Sequence, residues 1–192
     1  MKKGFTIVEV SILFVIFLIV ALLVAPLSLD DTKQAQLISK WRNVQQDFLN
    51  IFYAVNSQKE ENNESFQSIF ESYINNEVKN KSESYKIIYR NGNLPNPTYK
   101  FDNYMQTIAD ATIAYKFFEQ NENGKLGIIM YDVNGKIGPN TWGKDVFGFN
   151  IYDNKLEPLG KSELVSIQKQ DCSRSGSGVY CSNYYLIGGS FD

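Results

Sequence analysis

Hydrophobic positions along the chain change their spacing twice, and each change marks a boundary. From Phe5 to Leu29 the residues are apolar on every side of a helical projection, broken by a single carboxylate at Glu9. As a helix these 25 residues span roughly 38 Å, more than the roughly 30 Å hydrocarbon core of a bilayer. Asp30 and Asp31 close the run. Beyond them Leu37, Trp41, Val44, Phe48, Ile51 and Val55 recur at alternating steps of four and three, a single helical stripe that Ile38, Leu49 and Phe52 broaden. Lys33, Lys40, Arg42, Asp47 and several glutamines fill the other faces. The spacing thus predicts one helix from about Phe5 to about Ser57, roughly 80 Å long, apolar all round in its first half and amphipathic in its second.

A polar break, Ser57–Glu64, then a shorter apolar face of Phe66, Ile69, Phe70, Tyr73 and Ile74 predict a second helix over Ser65–Val78. From there the period falls to two. Tyr85–Arg90, Thr112–Phe118, Leu126–Tyr131 and Phe147–Tyr152 read as strands, with a strand end and turn at Thr107–Ala111. Turn chemistry at Asn91–Pro97, Asn121–Gly124 and Asp153–Asn154 separates them. Short connections imply antiparallel neighbours. Three or four antiparallel strands on the amphipathic half of a long helix make an α+β head.

Composition narrows the chemistry. The chain has 192 residues, 19 basic and 21 acidic side chains, a formal charge of -2 and no histidine. Histidine-based triads, metal sites and general bases are therefore excluded. A mildly acidic surface without a basic aromatic patch predicts no nucleic-acid partner. About 130 residues beyond the helix suffice for one core.

Three readings of the amino terminus compete. A cleaved secretory signal needs small residues where this run has Leu23-Val24-Ala25-Pro26. A plain anchor accounts for the length and, through Lys2 and Lys3, for a cytoplasmic amino terminus, but leaves Glu9 as an unpaired charge in apolar surroundings. The third reading uses every residue: Gly4-Phe5-Thr6-Ile7-Val8-Glu9 resembles the processing site of type IV prepilins and pseudopilins.

That resemblance implies cleavage between Gly4 and Phe5 by a prepilin peptidase, methylation of the new amino terminus, and pairing of Glu9 with the terminal amine of a neighbouring subunit. Pro26 falls where members of the family often carry a helix-kinking proline. The implied division is a leader at 1–4, a transmembrane and filament-core half at 5–29, an amphipathic half at 30–58 and a globular head at 59–192. The implied fold is the pilin fold, a long helix packed on a small antiparallel sheet. The implied partners are other pilin-like subunits and an inner-membrane assembly platform, with the head periplasmic before extraction into a filament. A type II secretion pseudopilin or a minor pilin is the expected member, with no enzymatic activity. Two alternatives stand beside it: a membrane-anchored extracytoplasmic binding module, calcium-dependent or not, and an anchored enzyme, for which no nucleophile and base lie at supportive spacing.

Two features of the head carry chemistry of their own. Tyr131–Phe147 holds Asp132, Asn134, Asn140 and Asp145, hard oxygen donors around glycine turns, a candidate calcium set without the bidentate glutamate of an EF-hand. The competing account is a turn in which Asp132 and Asn134 bond their own backbone, with positive φ at Gly135, Gly138 and Gly143. Cys172 and Cys181, the two cysteines of the chain, read as one disulfide closing a Ser/Gly-rich loop and pinning a strand at Tyr184–Ile187.

Overall fold

The computed structural model describes residues 7–62, 65–82, 84–101, 104–118, 124–153 and 155–190. Contacts divide the chain into two compact units, one ending at Gln36 and one running from Leu37 to the carboxyl terminus. A single helix, α1, covers Ile7–Asn62 and contributes to both.

In the second unit the expected stripe is the buried face of α1. Trp41, Phe48, Phe52 and Val55 are buried, and Leu37, Val44, Leu49 and Ile51 are partly buried against them. Helix α1 runs through the polar stretch where the sequence predicts its end. Two side chains there are held by the head: Gln58 donates to the hydroxyl of Tyr73 at 2.9 Å, and Lys59 pairs with Asp153. Helix α2, Phe66–Glu77, follows. Ser65 caps it by accepting from the backbone N–H of Ser68 at 3.2 Å. Phe66, Ile69, Phe70 and Ile74 are its buried face, as the spacing predicts.

The sheet has six strands rather than three or four, in sequence order and antiparallel throughout. They are β1 (Val78–Ser82), β2 (Tyr104–Thr107), β3 (Thr112–Phe117), β4 (Lys125–Asp132), β5 (Val146–Tyr152) and β6 (Leu156–Pro158). An α+β architecture with an antiparallel sheet is therefore the fold class. Asn121 and Asn154, from the expected turns, lie outside the described residues, as do their neighbours 119–123.

Both faces of the central strands are covered, so β4 is buried from Gly127 to Asp132. On one face Ile113, Ile129, Tyr131, Phe147, Phe149 and Ile151 meet α1 and α2. Trp41 stacks on Phe147 with centroids 4.9 Å apart and leans on Phe149 at 4.7 Å, while Phe48 meets Tyr131 edge-on at 5.7 Å. Aromatic side chains of this size bury roughly 150–250 Å² each, so they contribute much of the apolar burial on this face. The second core cluster holds Ala114, Ile128, Met130, Trp142 and Val146, together with Ile87 and Phe101 from the segment before β2 and Tyr104 at its start.

Tyr85–Arg90 is not a strand. It is extended, but its one ladder contact is an isolated bridge from Ile88 to Thr141. A turn rather than a strand lies alongside it, so its alternating apolar residues lie over the second core without extending the sheet. Tyr184–Ile187 is not a strand either. Helix α4 occupies Cys181–Tyr184 and turns follow it, with Tyr185 donating its backbone N–H to the Cys181 carbonyl. A further short helix, α3, covers Val165–Asp171.

Candidate functional site

Of the amino-terminal processing and assembly residues, Gly4 and Phe5 lie outside the described residues, and Glu9 is described in its backbone alone, as part of α1. The apolar side chains of Val10 and of Ile12–Val20 are each between 45% and 67% exposed, on every side of the helix. Ser11 satisfies its hydroxyl within the helix, donating to the Ile7 carbonyl at 2.8 Å. Among the described residues no helix is long and apolar enough to cross a membrane. The apolar run read from the sequence continues through residues 21–29, whose side chains are not among those described.

The second candidate is the connection between β4 and β5. Its four oxygen-bearing residues fall in one turn, and two carboxylates organise it. Asp132 and Asp145 are fully buried. Asp132 accepts from the Asn134 backbone N–H through Oδ1 at 3.2 Å and from the hydroxyl of Tyr85 through Oδ2 at 2.8 Å. Asp145 reaches back to accept from Thr141 N–H through Oδ1 at 2.7 Å and from Asn140 N–H through Oδ2 at 2.8 Å. The backbone bonding expected of a turn is present. Positive φ occurs at Gly135 and Gly143 but not at Gly138; Asn140 takes that role at φ 51°, with its N–H held by Asp145.

Electrostatically the turn carries excess acceptor. Burial, and then the neighbouring Asp145 charge, push the Asp132 carboxyl up to about 8, outweighing the hydrogen bonds that favour its anion. Burial likewise raises Asp145, against hydrogen bonds from the backbone of Thr141, Asn140 and Asp145 itself and from the Asn134 side chain. The hydroxyl of half-buried Tyr85, facing Asp132, is pushed up as well, by burial first and then by the Asp132 charge. Two side-chain carbonyl oxygens, Asn134 Oδ1 and Asn140 Oδ1, are buried without a hydrogen-bond partner. Orphaned buried acceptors near buried carboxylates are oxygens of the kind a hard cation takes, so the donor set is chemically of calcium's type. It is a sparse set, since among the described residues no group of three or more Asp, Glu, Cys or His side chains converges on one point. Asp132, Asn134, Asn140 and Asp145 would hold the ion, which would neutralise the two carboxylates.

The third element is the disulfide. Cys172 at the end of α3 is bonded to Cys181 at the start of α4, with Cα atoms 5.0 Å apart. The loop between them is built on Asp171, whose Oδ1 accepts from the N–H and hydroxyl of Ser177 and whose Oδ2 accepts from Tyr180 N–H at 2.8 Å. The expected linkage is present, but it ties two helices rather than a strand to the head. Trp41 Nε1 donates to the Ser182 carbonyl at 2.8 Å, Arg42 donates to the Tyr185 carbonyl, and Ser182 Oγ accepts from Gly148 N–H in β5. Arg90 is buried between this region and the β4–β5 turn, donating to the Gly143 carbonyl and the Tyr185 hydroxyl, each at 3.0 Å. Neither Arg90 nor Asp171 has a spacing signal in the sequence. Their partners lie in other parts of the fold or along an irregular loop.

No protein-family model matches the chain, and no curated protein or solved structure matches it either.

Proposed function

We propose that the chain is a structural subunit of a type IV pilus-like filament, of the type II secretion pseudopilin or minor pilin kind, and that it acts by polymerising. The observation that carries this reading is Glu9, an acid at the head of an otherwise apolar helix whose side chains from Val10 to Val20 are exposed all round. Such a helix is stable only in an apolar environment, and a carboxylate there needs a partner. The resemblance of Gly4–Glu9 to a prepilin processing site supplies both. The chain waits in the bacterial inner membrane with its amino terminus cytoplasmic and its head periplasmic. A prepilin peptidase removes residues 1–4, and the amine of Phe5 pairs with Glu9 of the next subunit as an assembly platform extracts it. The α+β head then coats a core of bundled helices, in the manner of the pilin fold. On this reading the protein has no catalytic role.

Replacing Gly4 with a bulky residue should leave the leader attached, read as an intact mass for the purified chain. Replacing Glu9 with Ala should leave a processed, membrane-held subunit that does not assemble. Correct processing with undiminished assembly in Glu9→Ala would sink the reading.

A second reading is favoured by the orphaned oxygens of Asn134 and Asn140: an anchored extracytoplasmic binding module whose head takes calcium. An unprocessed leader together with calcium-dependent binding would select it.

A further inference from the structure

Asparagine followed directly by glycine occurs three times in the chain, at Asn91-Gly92, Asn123-Gly124 and Asn134-Gly135. The pair carries its own chemistry. Glycine has no side chain to shield its backbone nitrogen, which can therefore attack the side-chain carbonyl carbon of the asparagine before it and close a succinimide ring. Asn123 lies outside the described residues, and the other two asparagines sit in opposite surroundings.

Asn91 and Gly92 are both exposed, so water and base reach them. Asn91 Oδ1 accepts from the backbone N–H of Asn93 at 3.0 Å, an Asx turn that lays the side-chain carbonyl alongside Gly92. That N–H stands where negative charge develops on Oδ1 as the ring closes. A Cβ on Gly92 would meet nothing within 4 Å, so the approach is open. At Asn134 the terms reverse. Its Oδ1 is buried without a hydrogen-bond partner, in a turn built on the carboxylates of Asp132 and Asp145, so no donor meets the developing charge. Asn91 also has a task. Arg90 N–H donates to the Ser177 carbonyl at 2.9 Å, Asn91 N–H to the Gly176 carbonyl at 3.0 Å and Asn91 Nδ2 to the Ser175 carbonyl at 3.4 Å. The turn at residues 90–91 thus clamps the loop that the disulfide closes.

We propose that Asn91 is a site of spontaneous modification, cyclising with Gly92 and reopening as isoaspartate or aspartate, and that the change releases the clamp on the disulfide loop. The Gly92 nitrogen gives its proton to base and bonds to Asn91 Cγ; the Cγ–Nδ2 bond breaks, and Nδ2 leaves with a proton as ammonia. Water then adds to a succinimide carbonyl. Cleavage of the ring nitrogen from Cγ gives aspartate, and cleavage from the main-chain carbonyl gives isoaspartate. A water molecule is consumed, an ammonia is released and nothing is oxidised. Either product carries a carboxylate where Nδ2 donated to the Ser175 carbonyl, so a bond becomes a repulsion. Isoaspartate also inserts a methylene into the backbone, which breaks the register of the Asn91 N–H to Gly176 bond with the Gly92 N–H to Tyr89 bond. No enzyme is required, so the modified fraction grows with the age of the protein.

The test ages the detergent-solubilised full-length chain in mildly alkaline buffer and follows it by peptide mapping with isoaspartate detection. Conversion at Asn91 should outpace conversion at Asn134 by at least about tenfold, a fraction of what one oxyanion donor supplies in an enzyme. In denaturant the two sites should react alike. Equal rates in the folded chain, or a faster Asn134, overturn the assignment; a preference that persists unchanged in denaturant overturns its structural origin. The clamp is read by trypsin at exposed Arg174, inside the disulfide loop. Aged chain should be cut there several-fold faster than fresh chain, and Asn91→Gln chain aged in parallel should be cut no faster than fresh. Cleavage that does not change with conversion at Asn91 overturns the release of the loop.

Discussion

Gly143 sits where three parts of the head converge, and Gly143→Ala should be among the costliest single-methyl additions the fold can receive. Its φ is +77°, and a Cβ there would lie 2.5 Å from Cys181 Sγ and 2.8 Å from the Gly178 carbonyl oxygen. Left-handed backbone costs a non-glycine residue about 1–2 kcal/mol. Forcing a methyl into closed packing costs about 1–3 kcal/mol more. The total expected is about 3 kcal/mol. Gly92 provides the control, because its φ is +86° but a Cβ there meets nothing within 4 Å. Gly92→Ala should therefore cost only the backbone share, about 1 kcal/mol. For a chain of this size each kcal/mol shifts the melting temperature by about 2–4 °C. Thermal melts of the detergent-solubilised full-length chain should thus separate the two variants by several degrees. The clash is with a disulfide sulfur, so the excess cost of Gly143→Ala should shrink by about 1 kcal/mol in a Cys172→Ser/Cys181→Ser background, as coupled neighbours do. Equal melting shifts for Gly143→Ala and Gly92→Ala would refute the close approach of turn and disulfide loop.

Removing the disulfide itself, by Cys172→Ser with Cys181→Ser, should destabilise by just under about 3 kcal/mol, the loop-closure value for a sequence separation of 9, measured by denaturant unfolding. Arg90→Met should cost about 2–3 kcal/mol by the same assay, because the Gly143 carbonyl and the Tyr185 hydroxyl lose a buried cationic donor. Arg90→Lys should recover at most half of that, since an ammonium lacks the guanidinium's fork. Calcium at about 100 times its dissociation constant should stabilise the chain by about 2.7 kcal/mol. Chelator should reverse that stabilisation and Asn134→Ala should weaken it, with an identical melt in calcium and in chelator counting against the site.

Legibility in the sequence followed the source of each element's stabilisation. The α1 stripe buries apolar residues at the helical period and strands β3, β4 and β5 are dense in apolar residues between turn signals, so Trp41, Phe48, Ile129 and Phe149 could be placed in these elements from sequence. Strand β1, Val-Lys-Asn-Lys-Ser, has no apolar face and exists through its ladder with β2, which no local pattern encodes. Strand β6 is three residues long. Tyr184–Ile187 has the composition of a strand, but tertiary bonds from Trp41 and Arg42 to this region and the adjacent disulfide hold it helical and turned. Helix α3 was hidden because it is seven residues long, exposed along most of its length and anchored by one buried glutamine, Gln168, instead of an apolar stripe. At the candidate turn the carboxylates were legible as Asp132 and Asp145. The Tyr85 hydroxyl that faces Asp132 was not, being 47 positions away.

The filament and anchor readings can be set against each other through the sign of one substitution, Glu9→Gln. In a plain anchor Glu9 has no partner, and its charge costs about 2.5–3.5 kcal/mol if it sits toward the apolar centre. Neutralising it should leave membrane retention equal or better and change nothing else. In a filament the same carboxylate is half of a buried pair with the amine of Phe5. Removing one member of such a pair costs about 3–5 kcal/mol, because the other charge is left in apolar surroundings without compensation. That cost falls on every subunit added, and about 4 kcal/mol per step lowers each association constant roughly a thousandfold. Glu9→Gln should therefore abolish polymer while the processed subunit stays in the membrane fraction. The two quantities to measure are the membrane-retained and the sedimentable polymeric fractions of the same culture. Unchanged polymer with equal or improved retention would assign Glu9 to an anchor. Lost polymer with intact retention would assign it to the subunit contact.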